Sequence, residues 1–233
     1  MSYFPVNLNI KDRKCLVIGG GKVAERKVTS LLSAGALVTV LSPTLTELLE
    51  KLSKKRGKGK VTHIKSRYKE GALEGFFICV SATSSKAITE RIRKEATEKK
   101  VLLNAVDMPE YCDFIVPSVL KRGALSVAVS TGGKSPALAK KIREELEEML
   151  PEELTVFTEL CGAIRNKLLK NVEKSVKNKR LYQEAITCGT LFTLVIENDS
   201  AGVDRYLKEV FGGSYSLKRL GVDLKAGRKK QNL

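Results

Sequence analysis

Leu16-Val17-Ile18-Gly19-Gly20-Gly21-Lys22-Val23-Ala24 decides how this chain is read. An apolar, β-branched run enters three consecutive glycines and leaves with the spacing of an amphipathic helix. Gly19, Gly21 and Ala24 stand at G-x-G-x-x-A spacing. In that spacing the first glycine permits a tight turn and the second lets a pyrophosphate approach the backbone. The small third residue lets the helix pack on the strand. Free N–H groups and the positive dipole end at the helix start favour the phosphates. The alternative is a structural turn that shares the spacing.

Outward from this stretch, Lys14 to Ile18 reads as a strand and Val23 to Ala34 as a helix, closed by Gly35. Leu37 to Leu41 is a second buried strand, and Ser42-Pro43-Thr44 is expected to cap a helix from Leu45 to Lys54. Val61 to Ile64 is a short third strand, followed by a polar loop to Gly75. Phe76 to Ala82 is an apolar fourth strand, Lys86 to Lys99 a charged helix, and Val101 to Val106 a fifth strand that ends in Asp107. This alternation predicts an α/β fold, a Rossmann-like doubly wound parallel sheet, over residues 1–113. Ligands of such sheets lie at the carboxyl ends of the strands, which brings in Ser81 and Thr83. An acidic residue usually follows strand two to hold the ribose of NAD. Ser42 stands there instead, so NAD and NADP both remain open, and Lys22 is compatible with a 2′-phosphate.

After Asp113 the pattern changes. Phe114 to Leu120 and Leu125 to Ser130 read as two strands around Lys121-Arg122-Gly123, leading to a helix from Pro136 to Met149 with Ser135 as its cap. This α+β block, 114–150, is too small to bury a core alone, and a second copy of the chain is its expected partner. Residues 151–233 read as a helical domain: Glu152 to Val176, Leu181 to Cys188 and Ala201 to Val210. Phe157, Leu160, Ile164, Leu168 and Leu169 form its apolar stripe, and a mobile basic tail is expected from Gly212 onward.

Composition narrows the class. With 233 residues, 42% hydrophobic and 29% charged, the chain has an ordinary globular balance. No apolar run suits a bilayer, and Met1 to Asn9 lacks the pattern of a secretory leader, so a cytoplasmic protein without a membrane segment is expected. Five scattered cysteines without a C-x-x-C pair argue against a disulfide framework or zinc site. The net charge of +16 suits a polyanionic partner. Part of it is peripheral, in Lys51 to Lys60 and Lys225 to Lys230. No nucleic-acid motif or interleaved aromatic pattern accompanies it, so no nucleic-acid partner is expected.

Few residues are candidates for chemistry. His63 is the single histidine and has no evident orienting partner. Asp107, at the carboxyl end of strand five, is placed to act as a general base, or equally to shape a turn ahead of Pro109. Asp113 is a second carboxylate of lower rank. Thr131-Gly132-Gly133-Lys134-Ser135 has the make-up of an anion nest at a helix N-terminus, or of a turn that feeds the cap.

These segments together resemble the precorrin-2 dehydrogenase family, whose members form the dehydrogenase, and in some cases the ferrochelatase, of siroheme synthesis. The resemblance rests on FPVNLNIKDRKCLVIGGGKVAERK at 4–27, AGALVTVLSPT at 34–44 and NAVD at 104–107. FIVPS at 114–118 and VAVSTGGKSPALAKKIREELE at 127–147 extend it. It implies an NAD-binding Rossmann domain, a dimerisation block, a helical domain and a homodimer. It also implies oxidation of precorrin-2 to sirohydrochlorin with NAD as cofactor, and in some relatives insertion of ferrous iron as a substrate. The family's aspartate falls on Asp107. Its cofactor contacts fall on the turn Gly19, Gly20, Gly21 with Lys22 and Val23, and on Pro43 and Thr44. In one branch a serine before two glycines is phosphorylated in proteins fused to a methyltransferase. Here Thr131 takes that position, and a separate protein is expected to perform the methylation. The polycarboxylate macrocycle fits the basic composition. The rival reading is a non-catalytic Rossmann dimer that senses NAD(H) and would tolerate loss of Asp107.

Overall fold

Four short apolar runs that are largely buried on both faces suit the inside of a parallel sheet, and they form one with Val61–Ile64, buried only at Val61, at one edge. The computed structural model describes residues 3–225 apart from 56, 58 and 171–174. It divides into two compact units, residues 1–116 and 117–233.

In the first unit the strands β1 (Lys14–Ile18), β2 (Leu37–Leu41), β3 (Val61–Ile64), β4 (Ile78–Ser81) and β5 (Leu102–Ala105) stand in the order β3-β2-β1-β4-β5, all parallel. Helices α1 (Lys22–Ser33) and α2 (Glu47–Lys54) pack on one face, where Ala24, Val28 and Leu49 join Cys15, Val17, Val38 and Val40. Helix α3 (Lys86–Lys99) covers the other face, with Ile92 and Ala96 against Leu16, Cys79 and Leu103. The chain order reverses between β1 and β4, and this opens a crevice at their carboxyl ends.

The expected bounds of β1, β2, β3 and α3 match the structure, those of α1, β4 and β5 differ by one or two residues at their ends, and two further expectations fail. The cap of α2 is Thr46, whose hydroxyl accepts from the Leu49 N–H, so Ser42-Pro43-Thr44 lies ahead of the helix. The segment to Gly75 is also less polar in its packing than in its composition. Leu73 and Tyr68 are buried, and the buried Glu95 carboxylate accepts from the Tyr68 hydroxyl at 2.6 Å and the Leu73 N–H at 2.8 Å.

In the second unit β6 (Ser118–Arg122) and β7 (Leu125–Val129) form an antiparallel pair that turns at Gly123, and α4 (Pro136–Met149) follows with Ser135 as cap. The strand expected from Phe114 to Leu120 starts at Ser118 instead and takes in Lys121 and Arg122, which pair with Ser126 and Leu125. The buried Arg122 guanidinium donates to the carbonyls of Glu147 and Leu150 and pairs with Glu152, so β6 caps the end of α4. Helices α5 (Leu154–Leu169), α6 (Ser175–Thr187), α7 (Thr190–Ile196), α8 (Ser200–Phe211) and α9 (Leu217–Leu220) complete the unit.

The helix expected to reach Val176 ends at Leu169 instead. Its buried stripe is Val156, Leu160, Ile164 and Leu168, a strict i, i+4 series, while Leu169 is exposed. Gly212 to Lys225, the described part of the tail expected to be mobile, is structural, because Tyr215, Leu217 and Leu224 are buried in the same core. Of the basic runs, Arg56, Lys58 and residues 226–233 lie outside the described residues. Among the described residues no helix is long and apolar enough to cross a membrane.

Candidate functional site

The glycine turn leaves β1 with Gly19 at φ +113°, a conformation in which other residues are strained. A Cβ there would also lie 2.8 Å from the Ala82 carbonyl oxygen, so the ends of β1 and β4 touch through this glycine. Gly20 is tighter still: its Cβ would fall 2.0 Å from the Thr44 carbonyl oxygen. Its own carbonyl accepts from the Thr46 N–H at 3.0 Å, which fastens the loop after β2 to the turn. Gly21 is the opposite case. It precedes α1 at φ −86°, and a Cβ there would meet nothing within 4 Å. Open space over a backbone amide at a helix start is what a pyrophosphate needs. Ala24 is buried against the sheet, as the small third residue should be.

The other expected cofactor residues surround this turn. Val23 opens the first turn of α1, and Lys22 is 82% exposed, paired with Glu25 at 3.3 Å. The Glu25 carboxylate also accepts from Thr46 Oγ1 at 2.5 Å, and these two partners hold it below the usual carboxylate range. Pro43 and Thr44 are exposed beside Gly20. Thr83 is half-buried at the crevice and accepts from the Ser85 N–H. Ser81 is sealed beneath it, 1% exposed, with no partner for its hydroxyl among the described residues. Ser42, in the place of the usual acid, is buried, and its carbonyl oxygen lies 2.9 Å from His63 Nε2. That bond joins the ends of β2 and β3, which gives the single histidine a structural task.

Asp107 lies on the same carboxyl edge. It is exposed, with φ +60°, two residues beyond the end of β5. Asp113 is occupied elsewhere. Its carboxylate pairs with Arg93 at 2.6 Å and accepts from the Leu103 N–H at 2.9 Å, so it is structural. One residue escaped sequence reasoning: Lys27, one helical turn beyond Val23 on the same face of α1. It lines a cleft of about 470 Å³ with Arg26, Val80, Val106 and Phe114. Burial pushes its ammonium below the ordinary lysine range, the neighbouring Arg26 adds to this, and the Asp107 carboxylate pulls it back. The i, i+4 relation to Val23 was the signal that could have found it.

Thr131 to Ser135 belongs to the second unit and is less open than a nest. Gly132 and Gly133 have positive φ, but the Gly132 N–H donates to Ser130 Oγ, and those of Lys134 and Ser135 donate to Thr131. What the loop presents outward is chiefly the exposed Lys134 side chain.

Residues 6–118 match the family described as putative NAD(P)-binding, and residues 122–149 match the sirohaem biosynthesis protein central family. The siroheme synthase of Photobacterium profundum is 37% identical over 195 residues, 84% of this chain and 41% of that protein. The enzyme of Nitrosococcus oceani is 32% identical over 92% of this chain and 45% of its own length. The chain thus spans less than half of these curated relatives. A solved structure of SirC, a precorrin-2 dehydrogenase, is 28% identical with a TM-score of 0.74 and covers 90% of this chain and 99% of its own.

The chain belongs to the precorrin-2 dehydrogenase and siroheme synthase family. The resemblance read from the five motifs therefore holds, as does the Rossmann-like reading of the sheet. Residues 6–118, nearly all of the first unit, are the part that matches the NAD(P)-binding family.

Proposed function

We propose that this chain oxidises precorrin-2 to sirohydrochlorin with NAD, and that Asp107 is the base. The observation that carries the reading is the convergence on one sheet edge of the open Gly21 cradle and the exposed Asp107 carboxylate. When bound, the nicotinamide ring accepts a hydride from the macrocycle. The chain's own residues do the rest. Amides of the glycine turn orient the nucleotide, Asp107 takes the proton that the macrocycle loses as the hydride leaves, and Arg26 and Lys27 offer cations to the substrate's carboxylates. Ser42 leaves no acid for the ribose, so the preference for NAD rests on the family likeness. Parent protein mixed with precorrin-2 and NAD should develop the sirohydrochlorin spectrum. Absence of that change in a folded, nucleotide-binding sample would reject the reading.

Ferrous iron, where it enters, is a substrate. Among the described residues no three His, Cys, Asp or Glu side chains gather to hold a metal, so the macrocycle nitrogens would bind the ion while Asp107 accepts their protons. Five free cysteines suit a reducing, cytoplasmic setting.

The second copy of the chain is part of the same proposal. Residues 114–150 act as the dimerisation block and 151–233 as a helical domain. A two-stranded sheet with open edges is marginal alone, and Val119 and Leu138 are exposed on this block. Sedimentation at micromolar concentration should give about twice the chain mass, and a stable monomer would reject the dimer.

A further inference from the structure

Strand β5 is the edge of the parallel sheet, so one side of its backbone has no neighbouring strand. Leu103 and Ala105, two residues apart, turn their polar groups to that side. The chain comes back along this edge after the Asp107 turn and supplies the missing partners. The Asp113 N–H donates to the Leu103 carbonyl at 2.8 Å, and Asp113 Oδ2 accepts from the Leu103 N–H at 2.9 Å. Cys112 repeats the pattern two residues further along the strand. Its Sγ accepts from the Ala105 N–H at 3.1 Å and lies 3.2 Å from the Ala105 carbonyl oxygen, a second acceptor for the thiol being the Met108 carbonyl at 3.5 Å. Arg93 of α3 ties down the far end through Asp113 at 2.6 Å and the Tyr111 carbonyl at 3.4 Å.

We infer that Cys112 and Asp113 are positioning residues for Asp107, acting as a strap that closes its turn against the open edge of β5. Between the two fastened legs stands Asp107 with its positive φ, a less favoured conformation for a non-glycine residue that the fastened legs help to hold. Burial raises the Cys112 thiol above its ordinary range, so the strap keeps a protonated donor at neutral pH. The inference rests on the reading of Asp107 as the base.

The test is a double-mutant cycle in the full chain, with precorrin-2 and NAD. Cys112→Ala should lower kcat about tenfold with KM for NAD unchanged, because a small displacement of a catalytic group is costly. Cys112→Ser, which keeps a donor and an acceptor, should restore most of the rate. Asp113→Asn, which keeps an acceptor for Leu103 but loses the Arg93 ion pair, should lower kcat severalfold with the same KM, and it serves where Cys112→Ala is unstable. On an Asp107→Asn background, Cys112→Ala should cost nothing further, since a strap with no base to aim has no effect on the rate. A parental kcat in both Cys112→Ala and Asp113→Asn overturns the strap. So does a loss that multiplies with that of Asp107→Asn, which would mark a general structural role. A parental rate in Asp107→Asn alone removes the base itself, and is thereby distinguishable from failure of the strap.

Discussion

Asp107→Asn is expected to lower kcat for precorrin-2 oxidation by about 10²-fold or more while the affinity for NAD stays within about twofold. The substitution keeps size, hydrogen-bonding capacity and tolerance of a positive φ, since asparagine accepts that region as readily as aspartate. It removes only the ability to take a proton. Asp107 is exposed and its carboxylate has no hydrogen-bond partner among the described residues, so the melting temperature should stay near the parental value. Stopped-flow absorbance with saturating NAD, beside calorimetric titration of the nucleotide, separates the two effects. If turnover persists at the parental rate, water or another group takes the proton and the role of Asp107 reduces to shaping its turn. The nucleotide-sensing alternative would be favoured only if the parent protein bound NAD and failed to turn over precorrin-2.

That Asp107 sits at a strand end was legible in the sequence, because an apolar run followed by a polar residue marks where a buried strand meets solvent. The same local logic delivered β1, β2, β3, α3 and α4 with their bounds. What the sequence could not show were contacts between distant segments. Gly20 has no role in the fingerprint spacing, yet it is the most confined glycine of the turn, since Thr44 on the next loop fills the place of its side chain. Asp113 reads as a free carboxylate until β5 is known to be an edge strand with a hydrogen-bonding side to satisfy. Thr190 to Ile196 has a composition common in strands, and it is helical because Leu191 and Val195, four residues apart, enter the helical core. The tail after Gly212 looked mobile by composition, and Tyr215, Leu217 and Leu224 are buried because that core offers them a place. For the candidate site, the residue types were legible and their division into open, sealed and structural positions was not. Ser81 and Thr83 look alike in sequence, yet Ser81 is sealed and Thr83 is half-buried at the crevice.

The adjacent glycines should separate nucleotide binding from folding. Gly21→Ala is expected to weaken NAD binding on the order of 10- to 100-fold, the value of one or two lost charge-assisted contacts to the pyrophosphate. Its backbone already has a φ of −86°, and the added methyl meets no atom within 4 Å, so the fold has no reason to object. The methyl instead occupies the approach to the amides that a phosphate would use. Gly20→Ala should do the reverse. Its methyl would stand 2.0 Å from a backbone carbonyl oxygen and 2.8 Å from Ser42 Oγ, so the loop that opens α2 must move. That loop is held by the Thr46 bonds to Gly20 and Glu25, and its displacement should cost roughly 2–4 kcal/mol of stability. Thermal melts and calorimetric titration of both variants give the pattern directly: a normal melt with poor binding for Gly21→Ala, and an early melt for Gly20→Ala. Parental NAD affinity in a well-folded Gly21→Ala protein would mean that the pyrophosphate does not lie over this amide. The anion site at the start of α1 would then have to be given up, and with it the geometric link between the nucleotide and Asp107.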